Sequence, residues 1–97
     1  MSRVGFWLRS GRARRRAKLR AEIAEVWAEV LQRERVSPTD NFLALGGDSL
    51  QAIRIIGRVE EFAGVHLSVR GLLETRTVDE MTEYVERTMA AEGRMWA

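Results

Sequence analysis

Residues 42–52 read Phe42-Leu43-Ala44-Leu45-Gly46-Gly47-Asp48-Ser49-Leu50-Gln51-Ala52, and this stretch decides how the chain folds. Asp48 is a favourable N-cap residue, and Gln51 follows it at the spacing of a capping box. An apolar helical pattern begins directly afterwards. The sequence therefore predicts that a helix starts at Ser49 and that the residues upstream of Asp48 form a loop.

The hydroxyl of Ser49 is accordingly predicted to be exposed in the first turn of a helix. Free backbone N–H groups and the positive end of the helix dipole favour an anionic group at such a position. We interpret Gly46 and Gly47 as giving the backbone a sharp turn and a large partner an unhindered approach. A covalently attached phosphate group would suit this site.

The rest of the chain shows helical periodicity on both sides of this loop. The first helix is predicted from Leu19, Ile23, Val26, Trp27, Val30 and Leu31, the second from Ser49 to about Ala63, a short third from Val69 to Glu74, and the last from a capping box at Thr77–Glu80 to about Ala91. These patterns predict an all-α fold, a small bundle of three longer helices and one short helix. Trp27 and Phe42 are predicted to lie in its core.

The apolar residues of the second helix exceed one face. Ile53, Ile56 and Phe62 can serve the core, which leaves Leu50, with Ile55 or Gly57, near the surface beside Ser49. Exposed apolar side chains next to a reactive group are typical of a partner footprint. Leu50, Ile53 and Arg54 are the predicted partner-recognition residues.

Charge is distributed unevenly along the 97 residues, although the net charge is only +2. Residues 1–35 carry ten Arg or Lys and four Glu, whereas residues 36–92 carry five Arg and ten Asp or Glu. We divide the chain into a basic, flexible extension (1–15), a folded domain (16–92) and a frayed tail (93–97). The extension is typical of a disordered leader, a nucleic-acid arm, a membrane-surface segment or a docking handle, and of the last three we favour docking.

Composition argues against several classes of function. The chain has no cysteine and one histidine, His66, so it offers neither a thiolate nor a cluster of metal ligands. Phe6-Trp7-Leu8 is too short to span a membrane. We predict a cytoplasmic monomer with neither nucleic-acid nor membrane partners.

Two other classes of protein share features of the Ser49 region. Gly47-Asp48-Ser49-Leu50 also spells the signature of an esterase and lipase family, but a catalytic serine needs a base, and His66 has no nearby Asp to complete a triad. Gln51 also breaks the Gly-x-Ser-x-Gly elbow. A helical interaction module, in which the serine only caps a helix and carries no prosthetic group, stays open as an alternative.

The segment Asp40-Asn41-Phe42-x-x-Leu45-Gly46-Gly47-Asp48-Ser49-Leu50 resembles the attachment motif of acyl and peptidyl carrier proteins. The resemblance continues through Gly64-Val65-x-Leu67 and Leu72-Leu73-Glu74-x-x-Thr77-Val78, and so covers Arg16 to Met89. It implies that Ser49, flanked by Gly47 and Asp48, bears 4′-phosphopantetheine. A phosphopantetheinyl transferase would attach this group from coenzyme A.

Arg54 and Arg58 stand where fatty-acid carriers typically place acidic residues, so the chain is most similar to the peptidyl subclass. The resemblance implies a protein that is not an enzyme but tethers an aminoacyl or acyl group as a thioester. Its partners would be an adenylation enzyme and condensation or tailoring enzymes of nonribosomal peptide and antibiotic biosynthesis. Because Met1 starts the chain, we expect a discrete, type II carrier. A domain excised from a larger protein and an acyl carrier of a polyketide pathway are the alternatives.

Overall fold

Four α-helices follow one another along the chain: α1 (Arg3–Val30), α2 (Ser49–Ala63), α3 (Val69–Thr75) and α4 (Val78–Ala91). The computed structural model describes the backbone of residues 3–93 and the side chains of residues 11–93. Within these ranges no β-strand forms, and one isolated bridge joins Asn41 to Thr77. The predicted all-α bundle of three longer helices and one short helix is confirmed.

The core lies where α1 packs against α2 and α4, while α3 bridges α2 and α4. Its largest side chains are those of Trp27 and Phe42, which are both fully buried and meet edge to face with ring centroids 5.4 Å apart. The indole N–H of Trp27 donates to the sulfur of Met81 at 3.3 Å. The predicted burial of both aromatic residues is confirmed.

Helix α1 begins at Arg3, so the segment that we assigned from the sequence to a flexible extension is already helical. Ala and Arg are strong helix formers, and the buried second half of α1 supplies the nucleus from which a helix propagates at little cost. Gly5 and Gly11 weaken this segment without ending it. The division of the chain at residue 16 stays a prediction, and residues 94–97 of the predicted tail lie outside the described residues.

Each of the three later helices has a side-chain N-cap. Ser68 accepts the N–H of Gly71 at 2.9 Å and starts α3, while Thr77 accepts the N–H of Glu80 at 3.1 Å and starts α4. The capping box predicted at Thr77 is only half present, because the N–H of Thr77 donates to the carbonyl of Thr75. Helix α2 ends as predicted at Gly64, which adopts the left-handed conformation.

Side chains of α2, of α4 and of Glu92, the residue after α4, hold the connection that leads into α3. The N–H groups of His66, Leu67 and Ser68 donate to Glu92 (3.2 Å), Glu60 (2.9 Å) and the hydroxyl of Tyr84 (2.9 Å), respectively. The ring of Tyr84 also lies against Gly71, where an added Cβ would stand 2.5 Å from it. The contact with Tyr84 therefore leaves little room for a side chain at Gly71.

Candidate functional site

Ser49 is the first residue of α2, and a complete capping box fixes it there. Asp48 Oδ1 accepts the N–H of Gln51 at 2.9 Å, and the N–H of Asp48 donates to Gln51 Oε1 at 3.0 Å. This reciprocal pair confirms the predicted helix start. It also uses the carboxylate of Asp48 for a structural purpose, because the helix would otherwise begin with an unsatisfied N–H.

The Ser49 side chain is exposed. Among the described residues, its hydroxyl makes no hydrogen bond. The free N–H groups of the first turn of α2 lie beside it, and these groups favour negative charge. The site therefore offers an accessible hydroxyl in an environment that suits a phosphodiester.

The loop before Ser49 is fastened to the start of α4. The N–H of Phe42 donates to the carbonyl of Arg76 at 2.6 Å, and the N–H of Asp79 donates to the carbonyl of Pro38 at 3.0 Å. With the ring of Phe42 buried under the loop, these bonds hold the backbone upstream of the serine. Ser49 is thus presented from an anchored loop.

Side chains within the loop turn the backbone at Asp40 and Asn41. Asp40 Oδ2 accepts the N–H of Ser37 at 2.9 Å. Asn41 Oδ1 accepts the N–H groups of Leu43 and Ala44 at 2.9 and 3.2 Å. These two positions of the motif therefore have a structural explanation that needs no ligand.

The two glycines of the motif have separate structural reasons. Gly46 has a φ of +87°, which disfavours any residue with a side chain. Gly47 lies on the ring of Phe42, and an added Cβ would stand 2.5 Å from ring atoms. Gly46 therefore supplies the sharp turn that the sequence predicted, whereas Gly47 is required by the packing of the Phe42 ring. The unhindered approach of a partner stays a prediction.

The exposed face of α2 differs in part from the prediction. Leu50 is 57% exposed, as expected. Ile53, which the periodicity assigned to the core although it was also predicted to take part in partner recognition, is 55% exposed, so the core assignment is wrong. Of the two alternatives predicted near the surface, Gly57 is exposed, whereas Ile55 is fully buried, so its placement there is wrong. The buried row consists of Ala52, Ile55, Ile56, Val59 and Ala63. Its two alanines gave no strong apolar signal, although their helical spacing marks the core face.

Ile53 therefore joins Leu50 and Arg54 on one exposed surface of α2. Ser49 and Ile53 lie four residues apart, as do Leu50 and Arg54, so each pair shares a helix face. Arg54 forms no ion pair with any described residue, whereas Arg58 is paired with Glu29 of α1. The predicted grouping of apolar and cationic side chains beside Ser49 is present, and its role in recognition stays a prediction.

Leu43 and Leu73 are exposed apolar residues that the sequence patterns did not assign to a surface. Leu43 is 58% exposed, and Leu73 of α3 is 36% exposed. The side chain of Asn41 accepts the N–H of Leu43 and holds this residue in the turn. That turn chemistry was the available signal for Leu43, whereas α3 is too short for periodicity to assign Leu73.

The geometry separates Ser49 from the single histidine. Ser49 is the first of the 15 residues of α2 and His66 follows the far end of that helix, so about 20 Å of helix separates the two. The His66 side chain is 94% exposed and lies 3.6 Å from a carboxylate oxygen of Glu92. No serine hydrolase triad can form across that distance. Of the helices in the described part of the chain, none is both long and apolar enough to cross a membrane.

Residues 21–85 match the protein-family model described as a phosphopantetheine attachment site. The chain belongs to this family. The matched segment contains α2, α3, most of α4 and the loop that carries Ser49. It therefore assigns the exposed serine and its capped helix to a phosphopantetheine carrier domain.

Large peptide synthases contain segments similar to this carrier domain. One component of the linear gramicidin synthase of Brevibacillus parabrevis is 48% identical over 61 residues, which are 63% of this chain and 1% of that protein. Surfactin synthase subunit 2 of Bacillus subtilis is 40% identical over 72 residues, 74% of this chain and 2% of that protein. The chain thus spans a small part of the length of these synthases.

Solved structures of carrier proteins are similar to the fold of this chain. BlmI, a type II acyl carrier protein from Streptomyces verticillus involved in bleomycin biosynthesis, is 53% identical with a TM-score of 0.77. The match covers 84% of this chain and 96% of BlmI. A peptidyl carrier protein solved with the phosphopantetheine transferase Sfp and coenzyme A is 28% identical, with a TM-score of 0.68 over 71% of this chain and 90% of that one.

Proposed function

We propose that this chain is a stand-alone peptidyl carrier protein that bears 4′-phosphopantetheine on Ser49. The observation that carries the proposal is the exposed Ser49 hydroxyl, which has no hydrogen-bond partner among the described residues and opens a capped helix. It stands in a domain of the phosphopantetheine attachment family. The hydroxyl would form the ester, and the first turn of α2 would stabilise the phosphodiester charge.

The residues around Ser49 fit such a group. The Ser49 side chain is exposed, and the Asp48 carboxylate accepts the N–H of Gln51, which partly offsets its negative charge beside a phosphate. When bound, the group supplies a terminal thiol that holds an aminoacyl or acyl cargo as a thioester. The protein itself supplies attachment, position and recognition, and on this proposal it is not an enzyme.

The peptidyl type is supported by the nonribosomal peptide synthases among the relatives and by Arg54 and Arg58 on α2. The stand-alone form is supported by the match to nearly the whole of BlmI, itself a type II carrier in antibiotic biosynthesis. The partners would be a phosphopantetheinyl transferase, an adenylation enzyme, and condensation or tailoring enzymes. The cytoplasmic location predicted from the sequence stays a prediction.

An intact-mass measurement tests the attachment site. Incubation with coenzyme A, magnesium and a transferase of broad specificity should raise the mass of the protein by one phosphopantetheinyl group. Ser49→Ala should gain nothing and keep its helical content, because alanine lacks the oxygen but favours a helix. Ser37→Ala, which alters another exposed loop serine, serves as the control and should be modified normally. Modification of Ser49→Ala would place the site elsewhere.

The recognition surface is tested by the rate at which an adenylation enzyme loads the carrier. Leu50→Ala removes apolar contact, and Arg54→Glu reverses a charge, so both should slow loading without loss of folding, and the effect of Arg54→Glu should weaken with added salt. Arg58→Glu is the control on the same helix, since Arg58 is already paired with Glu29. Normal loading of both variants, together with slow loading after deletion of residues 1–15, would show that the enzyme recognises α1 and not the exposed face of α2.

A further inference from the structure

The N-terminal half of α1 presents a dense set of exposed cations. Residues 12–18 read Arg-Ala-Arg-Arg-Arg-Ala-Lys, and all seven are exposed. We call this segment the basic arm. The described core begins only afterwards, at Leu19. The segment also lies outside residues 21–85, which match the carrier family, so neither the core nor the family match accounts for its charge.

The basic arm continues a helix whose second half is fixed in the core. Leu19 and Ile23 are buried, and they set the direction of α1. Two ion pairs to α4 support it, from Arg16 to Glu86 at 3.0 Å and from Arg20 to Asp79 at 3.5 Å. Exposed pairs of this kind contribute little energy, so the direction depends mainly on the buried side chains. The cations are therefore displayed on an oriented surface.

The basic arm and Ser49 lie at opposite ends of the bundle. Arg33, just after α1, donates to the carbonyl of Leu45 at 3.0 Å, near the start of α2. Further along α2, Arg58 pairs with Glu29, which lies further back on α1. The two helices are therefore antiparallel.

Helix geometry gives the separation. Arg16 precedes Glu29 by thirteen residues, and Ser49 precedes Arg58 by nine, so the separation along the bundle is about 30 Å at 1.5 Å per residue. A protein that engages Ser49 and the first turns of α2 would leave the arm accessible.

We propose that the basic arm is a second docking site, which binds a carboxylate-rich surface of a partner protein while Ser49 is engaged elsewhere. Arginine binds carboxylates with two parallel hydrogen bonds, and four of the five cations of the arm are arginine. Residues 36–92 carry five Arg against ten Asp or Glu, so the body of the domain repels an extended polyanion. A compact acidic patch on a protein can meet the arm without approaching that body.

Such a site would act on encounter and retention more than on chemistry. Clustered charge raises association rates and makes them depend on ionic strength. A second attachment point also keeps the carrier near its partner, which raises the effective concentration of the Ser49 end. Attachment of phosphopantetheine to Ser49 does not depend on this site, so each proposal can fail without the other.

Binding of a fluorescent Glu-rich peptide to the full chain tests the proposal. Arg12→Glu/Arg15→Glu should weaken binding by about tenfold or more at moderate ionic strength. Arg35→Glu/Arg87→Glu changes the net charge equally at two exposed positions and should have less than about a twofold effect. In backbone NMR spectra, the peptide should shift amides of residues 11–20 and leave those of α2 near Ser49 unchanged. Modification of Ser49 by the transferase should proceed equally in both double variants.

Several results would overturn the proposal. Equal loss of binding in the two double variants would show attraction to net charge alone. Tighter binding to a short DNA duplex or to phosphatidylserine vesicles than to the peptide would assign the arm to nucleic acid or to a membrane. A dimer in sedimentation that disappears in Arg12→Glu/Arg15→Glu would make a second copy of this chain the occupant.

Discussion

The ring of Phe42 lies directly against the backbone of Gly47, so that a Cβ at Gly47 would stand 2.5 Å from the nearest ring carbons. Phe42 is buried, and both its N–H and its carbonyl are hydrogen-bonded, to Arg76 and Gly47 respectively. The ring cannot retreat without opening the loop. One contact between two motif residues thus connects the hydrophobic core to the segment that presents Ser49.

Gly47→Ala should therefore destabilise the domain by about 1–3 kcal/mol, the usual cost of overpacking. Gly57→Ala is the matched control, because a Cβ at that exposed helical position meets nothing within 4 Å. It should stabilise the domain by about 0.5–1 kcal/mol. Urea denaturation of the two variants measures both changes, and an equal response would show that the Phe42 contact does not constrain the loop.

Asp48→Asn should preserve stability, because asparagine caps a helix as well as aspartate does, whereas Asp48→Ala should cost about 1 kcal/mol. Comparison of the two by thermal denaturation isolates the cap. The rate at which the transferase modifies Asp48→Asn then measures the effect of the carboxylate charge alone. If Asp48→Asn folds normally and is modified slowly, the carboxylate is also recognised; modification at the normal rate would limit Asp48 to the capping box.

Ile53 and Ile55 provide a pair of identical side chains two residues apart on α2. Ile55→Ala should lose about 2–5 kcal/mol of stability, because its side chain is fully buried. Ile53→Ala should stay within about 0.5 kcal/mol of the parent protein, as surface substitutions do. Denaturation curves that place the two variants together would contradict the assignment of the exposed face.

Met81→Leu should destabilise the domain more than the similar volumes of the two side chains suggest. The sulfur of Met81 accepts the buried N–H of Trp27, and leucine would leave that donor without a partner at a cost of about 1–3 kcal/mol. Met89→Leu, another buried methionine of α4, should cost less than about 1.5 kcal/mol. Equal free energies of unfolding for the two variants would show that the sulfur bond contributes nothing.

Trp27→Ala and Phe42→Ala should each remove about 3–5 kcal/mol, the usual cost of truncating a large buried aromatic residue. A core of this size has little stability to spare, so thermal unfolding should shift strongly or lose cooperativity. Melting of either variant at the parent temperature would mean that the ring contributes little to the core.

Local patterns predicted the helices and most of their ends, because the caps at Asp48 and Thr77 and the end of α2 at Gly64 depend only on residues close in sequence. Features that depend on tertiary contacts were not predictable. The sequence does not show that the ring of Phe42 lies against Gly47, or that Tyr84 occupies the space at Gly71. The periodicity placed Ile53 in the core and allowed Ile55 at the surface, whereas the structure shows the reverse. The pattern could not decide because α2 has apolar residues on more than one face, and only packing selects the buried row.

Helix α3 has a consequence for how the domain opens. Leu72 is its one fully buried side chain, and the connection before it is held by acceptors on three side chains. Such a segment can detach as a cooperative unit at a free energy well below that of global unfolding. Amide protons of residues 66–75 should then exchange with solvent earlier than those around Ile55. Helix α3 and the connection before it could then change conformation while α2 stays fixed, so this small element could adjust separately to each successive partner.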